Sequence, residues 1–324
     1  MQIKKYIQIF YIIIFTVATH SVSSAQQTIS NIQSVKKTDG HTAEVTFNDN
    51  RYFYLDFYGE NIFRIFCSLN GDQPHDPVAK PPAKILVDQP RKIVSKFILA
   101  DNGKVISITT KTVKLTIDKH SGIFKATNLL TQKPAFQFLT PINIEKNKVS
   151  LSLVELGDEY FFGGGVQNGR FTHKGKIIAI ENQNSWTDGG VASPNPFYWS
   201  NGGYGVMWHS FKPGRYDFGA TEKGKVKLFH NDSYFDVFFM VNDTPIALLN
   251  DFYQLTGHPV LLPKFGFYEG HLNAYNRDFW KEDSTATRGI LFEDGKHYTE
   301  SQTNNGGIKE SLNGEKNNYQ FSAR

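Results

Sequence analysis

Apolar and polar residues alternate along much of the chain between about Thr42 and Val241. Neighbouring side chains of a strand point to opposite faces, so this alternation predicts strands with one buried face and one face toward water. The runs are short and separated by turn residues, which favours antiparallel sheets packed as a β-sandwich. Residues 70–90, rich in Pro, Asp and Lys, predict a long surface loop. The alternating positions are Ala43, Val45 and Phe47; Phe53, Leu55 and Phe57; Phe63, Ile65 and Cys67, less cleanly; Ile106 and Ile108; Val113, Leu115 and Ile117; and Val149, Leu151 and Leu153.

One helix is predicted after the last of these runs. Asp243 or Thr244 can cap its start, and Pro245 fits the first helical position. Apolar residues then recur at three- and four-residue spacing, which predicts one apolar face. Gly257 ends the helix, with Pro259 just beyond. The residues of the predicted apolar face are Ile246, Leu249, Phe252 and Tyr253.

Residues 261–268 predict a short apolar strand that runs directly into the polar residues 269–278. A strand whose carboxyl end opens into polar residues is typical of the first strand of a (β/α)₈ barrel. After Trp280 the sequence predicts neither a second strand nor a helix with clear caps, and we expect residues 281–324 to be poorly ordered.

The first 25 residues have the pattern of a secretory signal peptide. Lys4 and Lys5 give a basic start, residues 7–18 are largely apolar, and small residues precede a cleavage site after Ala25. The apolar run is too short for a comfortable membrane span, so an uncleaved anchor is the weaker alternative. The single cysteine, Cys67, cannot form an internal disulfide. We therefore expect an exported protein of a bacterial periplasm or exterior, free of the membrane after cleavage.

Composition and charge exclude several function classes. The 324 residues are 40% hydrophobic and 20% charged, which is ordinary globular composition. The formal net charge of +4 is scattered, without a basic stripe interleaved with aromatics, so no nucleic-acid partner is expected. No histidines and acids occur at metal-ligand spacing, so neither a metal nor another cofactor is predicted. The Gly-x-Ser-x-Gly elbow of an α/β-hydrolase does not occur in the sequence.

The segment 161–205 carries the candidate chemistry. It combines the triplet Gly163-Gly164-Gly165 with amide, aromatic and turn residues, and it lacks helical periodicity. It predicts a shaped polar and aromatic loop system of the kind that grips a sugar ring. No Gly-Lys-Ser/Thr follows the glycines, so a phosphate cradle is excluded, whereas a tight turn with positive φ would explain the glycines alone. The planar or charged groups that follow are Gln167, Asn168, Arg170, His173 and Lys174.

Trp186 and Asp188 lie on a short stretch that ends in two glycines. They fit either an aromatic platform with a hydroxyl-binding acid or an Asp-Gly turn beside a core tryptophan, and spacing alone favours neither. Residues 196–200 fit a buried strand better than a binding surface. Glycosidase chemistry needs two carboxyl groups flanking the bond. Asp188 and Glu269 are the best-placed acids, but both have the character of binding residues.

From about residue 155 to 280 the chain resembles glycoside hydrolase family 31. Residues 161–165, 186–188, 196–200 and 204–206 resemble the family's N-terminal β-sandwich. Residues 255–264 resemble its passage into the catalytic barrel. The motifs that carry the resemblance are Phe-Phe-Gly-Gly-Gly, Trp-Thr-Asp, Pro-Phe-Tyr-Trp-Ser, Tyr-Gly-Val, Leu-Thr-Gly-His-Pro and Leu-Pro-Lys.

The resemblance implies a mainly β chain, with a galactose-mutarotase-like β-sandwich followed by the first elements of an incomplete (β/α)₈ barrel. The expected organisation is a signal peptide over 1–25, the sandwich over 26–258 and the start of the barrel over 259–324. The family cleaves α-glycosidic bonds with retention, using an aspartate nucleophile and an aspartate acid/base, and needs no metal. Residues 270–278 resemble a bacterial branch with α-N-acetylgalactosaminidase and α-glucosidase-type members.

The resemblance also implies a set of substrate-binding residues. Asp188 matches the acid of the sandwich loop, and His271 and Asn273 match the end of the first barrel strand. With Trp186 they are the residues we expect to contact an α-linked carbohydrate. No residue matches the two catalytic aspartates, which lie on later barrel strands, so the chain is expected to be an N-terminal portion that is inactive alone. The alternatives are a non-catalytic carbohydrate-binding sandwich and a structural β-protein without a ligand.

Overall fold

The computed structural model describes residues 27–48, 51–185, 187–261, 280–285, 290–291 and 294–300. These residues form 22 strands and one helix. The elements in chain order are β1 (Gln27–Thr28), β2 (Ile32–Lys37), β3 (Thr42–Phe47), β4 (Tyr52–Phe57), β5 (Ile62–Ser68), β6 (Ile98–Asp101), β7 (Val105–Thr109), β8 (Val113–Asp118), β9 (Phe124–Asn128), β10 (Lys133–Gln137), β11 (Asn143–Glu145), β12 (Lys148–Val154), β13 (Phe161–Gln167), β14 (Ile177–Ile180), β15 (Val191–Ser200), β16 (Tyr204–Trp208), β17 (Gly214–Phe218), β18 (Lys225–His230), β19 (Tyr234–Val241), α1 (Pro245–Thr256), β20 (Trp280–Glu282), β21 (Ile290–Leu291) and β22 (His297–Glu300).

Three antiparallel sheets build a sandwich, which confirms the predicted β-sandwich. One layer is an eight-stranded sheet in the order β13-β15-β16-β19-β5-β4-β3-β2. The facing layer combines a six-stranded sheet, β1-β11-β12-β18-β17-β14, with a five-stranded sheet, β10-β9-β8-β7-β6. A bridge between Phe138 and Leu153 joins these two sheets. Aromatic rings meet between the layers, as where Phe161 of β13 stacks on Phe218 of β17 at 4.6 Å.

The outer face of the eight-stranded sheet is also covered. All seven residues of β5 and all five of β16 are buried. Helix α1 and part of the 69–97 loop pack on this face against Phe238 and Met240 of β19. A strand that is buried on both sides has no polar face to show in the sequence. This explains why the alternation weakens at Phe63, Ile65 and Cys67.

The doubly covered face holds an ion pair. Arg64 Nε and Nη2 each donate to a different carboxylate oxygen of Asp236 at 2.6 Å. Burial raises the pKa of Asp236, but the charge and hydrogen bonds of Arg64 outweigh it, so this pKa lies below its usual value. The charge brought onto this face is therefore compensated by a partner on the adjacent strand.

Helix α1 has the predicted boundaries. The Thr244 side chain accepts a hydrogen bond from the Ala247 amide at 3.2 Å, and Gly257, with φ 85°, donates to the Tyr253 carbonyl at 2.8 Å. The predicted apolar face was partly wrong, because Ile246 is 72% exposed while Leu248 and Leu255 are buried. In the described part of the chain, no helix is long and apolar enough to cross a membrane.

The buried face of α1 includes an acid, so a pattern of apolar residues alone cannot identify the whole face. Asp251 is buried between Leu248 and Leu255 and accepts hydrogen bonds from the side-chain amides of Asn61 (2.6 Å) and Asn242 (3.1 Å). The true face is therefore rotated relative to the one expected from hydrophobicity.

The predicted surface loop is confirmed, since no strand occurs between β5 and β6. It is tied to the sandwich by backbone hydrogen bonds from Lys92 to the Tyr58 carbonyl (3.0 Å) and from Val87 to the Leu255 carbonyl (2.9 Å). The loop therefore has fixed contacts with both the sheet and the helix.

The chain divides into two compact units, Met1–His258 and Pro259–Arg324. In the second unit, β20, β22 and β21 form a small antiparallel sheet. The expectation of no strand beyond Trp280 was wrong here, because these strands have two to four residues and no apolar alternation that a sequence could show. The strand predicted over 261–268 lies outside the described residues except for Leu261.

Candidate functional site

The segment 161–205 is less of a loop than its composition suggested. It contains β13, β14, β15 and the start of β16, so the expectation of one continuous loop system was wrong. The irregular parts are residues 168–176, here called loop A, and residues 181–190, here called loop B. Strand β13 could not be predicted from alternating apolar and polar residues, because its three glycines have no side chains.

The glycine triplet lies in a bulged part of β13, paired with β15. Gly163, Gly164 and Gly165 have φ of 106°, 75° and 78°. The expected positive φ is confirmed, but in a strand and not in a tight turn. A Cβ on Gly165 would lie 2.1 Å from the Ser193 carbonyl oxygen. Only glycine allows this close approach of the two backbones.

Two of the polar residues after the triplet fix this bulge. Gln167 Nε2 donates to the carbonyls of Gly164 (3.0 Å) and Ala179 (2.9 Å). His173 is buried, and its Nε2 lies 2.8 Å from the Gly163 carbonyl, which requires the proton on Nε2. Burial lowers the pKa of His173 more than this hydrogen bond raises it, so the ring is neutral near pH 7.

Loops A and B are fastened to each other. The Asn168 side chain donates to the Ser185 carbonyl at 2.7 Å, and its backbone exchanges hydrogen bonds with Gly189 (2.9 Å) and Gly190 (3.0 Å). Arg170 donates to the carbonyls of Ile177 (2.9 Å) and Gly189 (3.4 Å). The planar polar groups assigned to sugar hydroxyls thus bind backbone carbonyls, and their observed task is to shape loop B.

Asp188 is presented by loop B. Its carboxylate is exposed and forms no hydrogen bond or ion pair with any residue that the structure describes. A Cβ on Gly169 would lie 2.9 Å from Asp188 Oδ1, so the carboxylate rests directly over this glycine of loop A. The other predicted binding residues, Trp186, His271 and Asn273, lie outside the described residues.

An exposed carboxylate on a fixed loop can accept hydrogen bonds from hydroxyl groups. It cannot by itself perform the acid and nucleophile steps of glycoside cleavage, which need two carboxyl groups. The geometry of loop B therefore suits ligand positioning.

Residues 196–200 are confirmed as strand, being part of β15 with Phe197 and Tyr198 buried. Trp199 is partly exposed and stacks on Phe162 at 4.3 Å. Phe171 of loop A contacts Phe162 edge-on and is 89% exposed. An aromatic surface thus adjoins the loops.

A cleft of about 450 Å³ lies behind loop B, on the outer face of the six-stranded sheet. Nothing in the sequence singles out two of its polar residues, Arg215 on β17 and Asn231 just after β18. A polar residue at an outward strand position is ordinary in a sequence, and only the pairing of β14, β17 and β18 brings them together.

Comparison with known proteins agrees with this architecture. Residues 52–217, just over half of the chain, match the model of the glycosyl hydrolase 31 N-terminal galactose mutarotase-like domain. An α-xylosidase, XylQ of Lactiplantibacillus pentosus, is 25% identical over 144 residues, which are 44% of this chain and 18% of the α-xylosidase.

Solved structures show the same fold at low sequence identity. A GH31 dextranase of Flavobacterium johnsoniae in complex with isomaltotriose superimposes with a TM-score of 0.65 at 16% identity, over 74% of this chain and 30% of the dextranase. A cycloalternan-forming enzyme of Listeria monocytogenes in complex with a pentasaccharide gives 0.64 at 15% identity, over 75% and 23%.

The chain therefore spans less than a third of each of these three relatives. The sandwich is galactose-mutarotase-like, as the resemblance implied. The chain belongs to glycoside hydrolase family 31, whose N-terminal galactose mutarotase-like domain it contains.

Proposed function

We propose that the chain is the N-terminal portion of an exported, retaining glycoside hydrolase that acts on α-linked saccharides. Loop B forms one wall of its substrate site. The observation that carries this proposal is the exposed Asp188 carboxylate on a loop fixed by Asn168 and Arg170, in a domain of this family. The proposed organisation is a signal peptide over 1–25, the sandwich over 26–258 and the start of the barrel over 259–324.

In this proposal each binding residue has a distinct role. Asp188 accepts hydrogen bonds from sugar hydroxyls, and Trp186 supplies an apolar ring surface. His271 and Asn273, which match the family's first barrel strand in sequence, are proposed as further sugar contacts. No nucleophile or acid/base is assigned to the chain, since the two aspartates belong to later barrel strands in the family.

Sugar binding tests the role of Asp188. Titration calorimetry of the chain with methyl α-glycosides of N-acetylgalactosamine, galactose, glucose and xylose should give saturable binding for at least one. Asp188→Asn should weaken it about tenfold or more, because a hydrogen bond to a charged group contributes roughly 1.5–3 kcal/mol. Asp88→Asn, which removes an equally charged side chain that is 84% exposed, is the matched control and should not change affinity. Equal affinities for both variants, or no saturable binding, would contradict the proposal.

Turnover tests the catalytic part. The purified 324-residue chain should not release 4-nitrophenol from 4-nitrophenyl α-glycosides of the same four sugars. Release above background that follows the protein through purification would show that a catalytic pair lies within the chain.

The proposed signal peptide has its own test. Sequencing of the exported protein should give a mature N-terminus at Gln26.

A non-catalytic carbohydrate-binding sandwich is the second candidate. The observation that favours it is that the tethers of loop B to Asn168 and Arg170 lie within the sandwich itself. Residues 26–258 would then bind the sugar as tightly as the whole chain does. Under the first proposal, loss of the barrel-side contacts weakens binding.

A further inference from the structure

The cleft behind loop B has the volume of a small-ligand site. Its volume of about 450 Å³ lies in the range of small-molecule pockets. Strands β14, β17 and β18 form its floor, and loop B forms one wall. The side chains that can contact a ligand there are Arg170, Glu181, Gln183, Arg215, Phe229 and Asn231.

Arg215 is the main charge of the cleft. It lies on the central strand of the floor, where its cross-strand partners are Ala179 and Phe229. Neither can neutralise a guanidinium, and Arg215 is exposed without a hydrogen bond or ion pair to any described residue. A guanidinium in this position can bind a carboxylate through two parallel hydrogen bonds.

Two further cations adjoin the cleft. Arg170 is held by the carbonyls of Ile177 and Gly189, which orient its guanidinium, and it forms no ion pair with a described residue. Lys148 Nζ lies 4.6 Å from the centre of the Phe229 ring. The lining itself contains two cations, Arg170 and Arg215, and one acid, Glu181, which has no ion pair with a described residue. The cleft is therefore net positive and favours an anionic ligand.

The remaining lining suits hydroxyl groups. The Gln183 and Asn231 side chains each offer a donor and an acceptor, and the Glu181 carboxylate accepts. Phe229 adds an apolar border. A simple inorganic anion would leave these groups unused, whereas a sugar acid uses them together with the cations.

We propose that this cleft binds an anionic saccharide, a hexuronate unit whose carboxylate pairs with Arg215 and whose hydroxyls contact Glu181, Gln183 and Asn231. This site is distinct from Asp188 and from the α-glycoside function proposed above. It would hold an acidic part of a polysaccharide against the sandwich.

Titration of the Asp188→Asn variant of the 324-residue chain, in which the proposed α-glycoside site is weakened, with glucuronate, galacturonate, glucose and acetate tests this proposal. At least one uronate should bind saturably and at least tenfold more tightly than glucose or acetate. Binding of glucose with the same affinity would overturn it, because the charge would then have no role. Equal binding of acetate would show an adventitious anion site, and the absence of saturable uronate binding would also overturn it.

Variants locate the site. Arg215→Gln should weaken uronate binding at least tenfold, while Lys125→Gln, the same charge change at an exposed position of β9, should not. Both positions are exposed, so both variants should keep the wild-type unfolding midpoint. Asp188→Asn should leave uronate affinity unchanged, which separates this test from that of the α-glycoside site. Loss of uronate binding in Asp188→Asn, or none in Arg215→Gln, would overturn the assignment.

Discussion

Glycine at position 165 meets two separate demands. Its φ of 78° disfavours any other side chain, and a Cβ would lie 2.1 Å from the Ser193 carbonyl oxygen and 2.5 Å from the Asn195 nitrogen. The first demand concerns the residue's own backbone, and the second concerns the neighbouring strand. A comparison with another glycine of similar φ separates the two.

Gly165→Ala should lower the free energy of unfolding by about 3 kcal/mol, because backbone strain and steric overlap add. Gly103→Ala is the matched control, since Gly103 has a φ of 84° and a Cβ added there would meet no atom within 4 Å. It should cost only about 1 kcal/mol. Urea unfolding measures both. Equal losses would show that β13 moves away from β15 without cost.

Asp251 makes stability depend on pH. Burial, only partly offset by the amides of Asn242 and Asn61, raises its pKa from 3.8 to about 6. The folded chain therefore binds the proton more tightly than the unfolded chain. The stability from this proton is fully present below about pH 4 and is lost as the pH rises through 6.

Asp251→Asn should remove the fall in stability between pH 4 and 6 and raise stability at pH 7.5 by roughly 2 kcal/mol. Urea midpoints measured across this range test it. Leu248→Ala changes stability in the same helix without removing a carboxyl group, so it should keep the wild-type slope. An Asp251→Asn variant with the wild-type slope would contradict the assignment.

At the scale of the element, the buried face of α1 packs on the outer face of the eight-stranded sheet. Leu248 is 1% exposed and packs against the outer face of this sheet, whereas Ile246, two residues earlier, is 72% exposed. Leu248→Ala should therefore destabilise the protein by about 2–5 kcal/mol. Ile246→Ala should stay within about 0.5 kcal/mol. A comparable loss in both variants, measured by thermal unfolding and calorimetry, would argue against this orientation of the helix.

The same elements show what the sequence could predict. Val113, Leu115 and Ile117 are buried while Lys114 is exposed, so β8 has the period-two signal in full. Strand β5 lacks it because α1 and the 69–97 loop cover its second face. This packing is tertiary structure, which the local sequence of β5 does not show. The helix ends were predictable because capping is local to Thr244 and Gly257.

The candidate site was less predictable than the fold. Local sequence identified Asp188 and the need for positive φ in the triplet. It could not show that Gln167 and His173 bind backbone carbonyls, since Ala179 and Gly163 come within reach only after β13 and β14 are placed. The cleft around Arg215 depends on the pairing of strands that are up to fifty residues apart, roughly the separation from β14 to β18.

At the scale of the whole molecule, the described residues place their hydrophobic packing in one compact unit, Met1–His258. Both hydrophobic clusters of the described residues lie between Ile29 and Leu255. One fills the sandwich and the other joins α1 to its outer face. Since the compact unit Met1–His258 contains both clusters, we propose that residues 26–258 are an independent folding unit.

Residues 26–258 expressed alone should therefore unfold in one transition, with the same urea midpoint as the whole chain's sandwich signal. A second truncation, residues 26–241, removes α1 and exposes Phe238 and Met240, so its midpoint should fall and it should tend to associate through this face. Tryptophan fluorescence reports the transition, because Trp208 is buried in the sandwich core. A lower midpoint for 26–258 would mean that residues after 258 stabilise the sandwich. Equal midpoints for the two truncations would mean that the outer face does not need its helix.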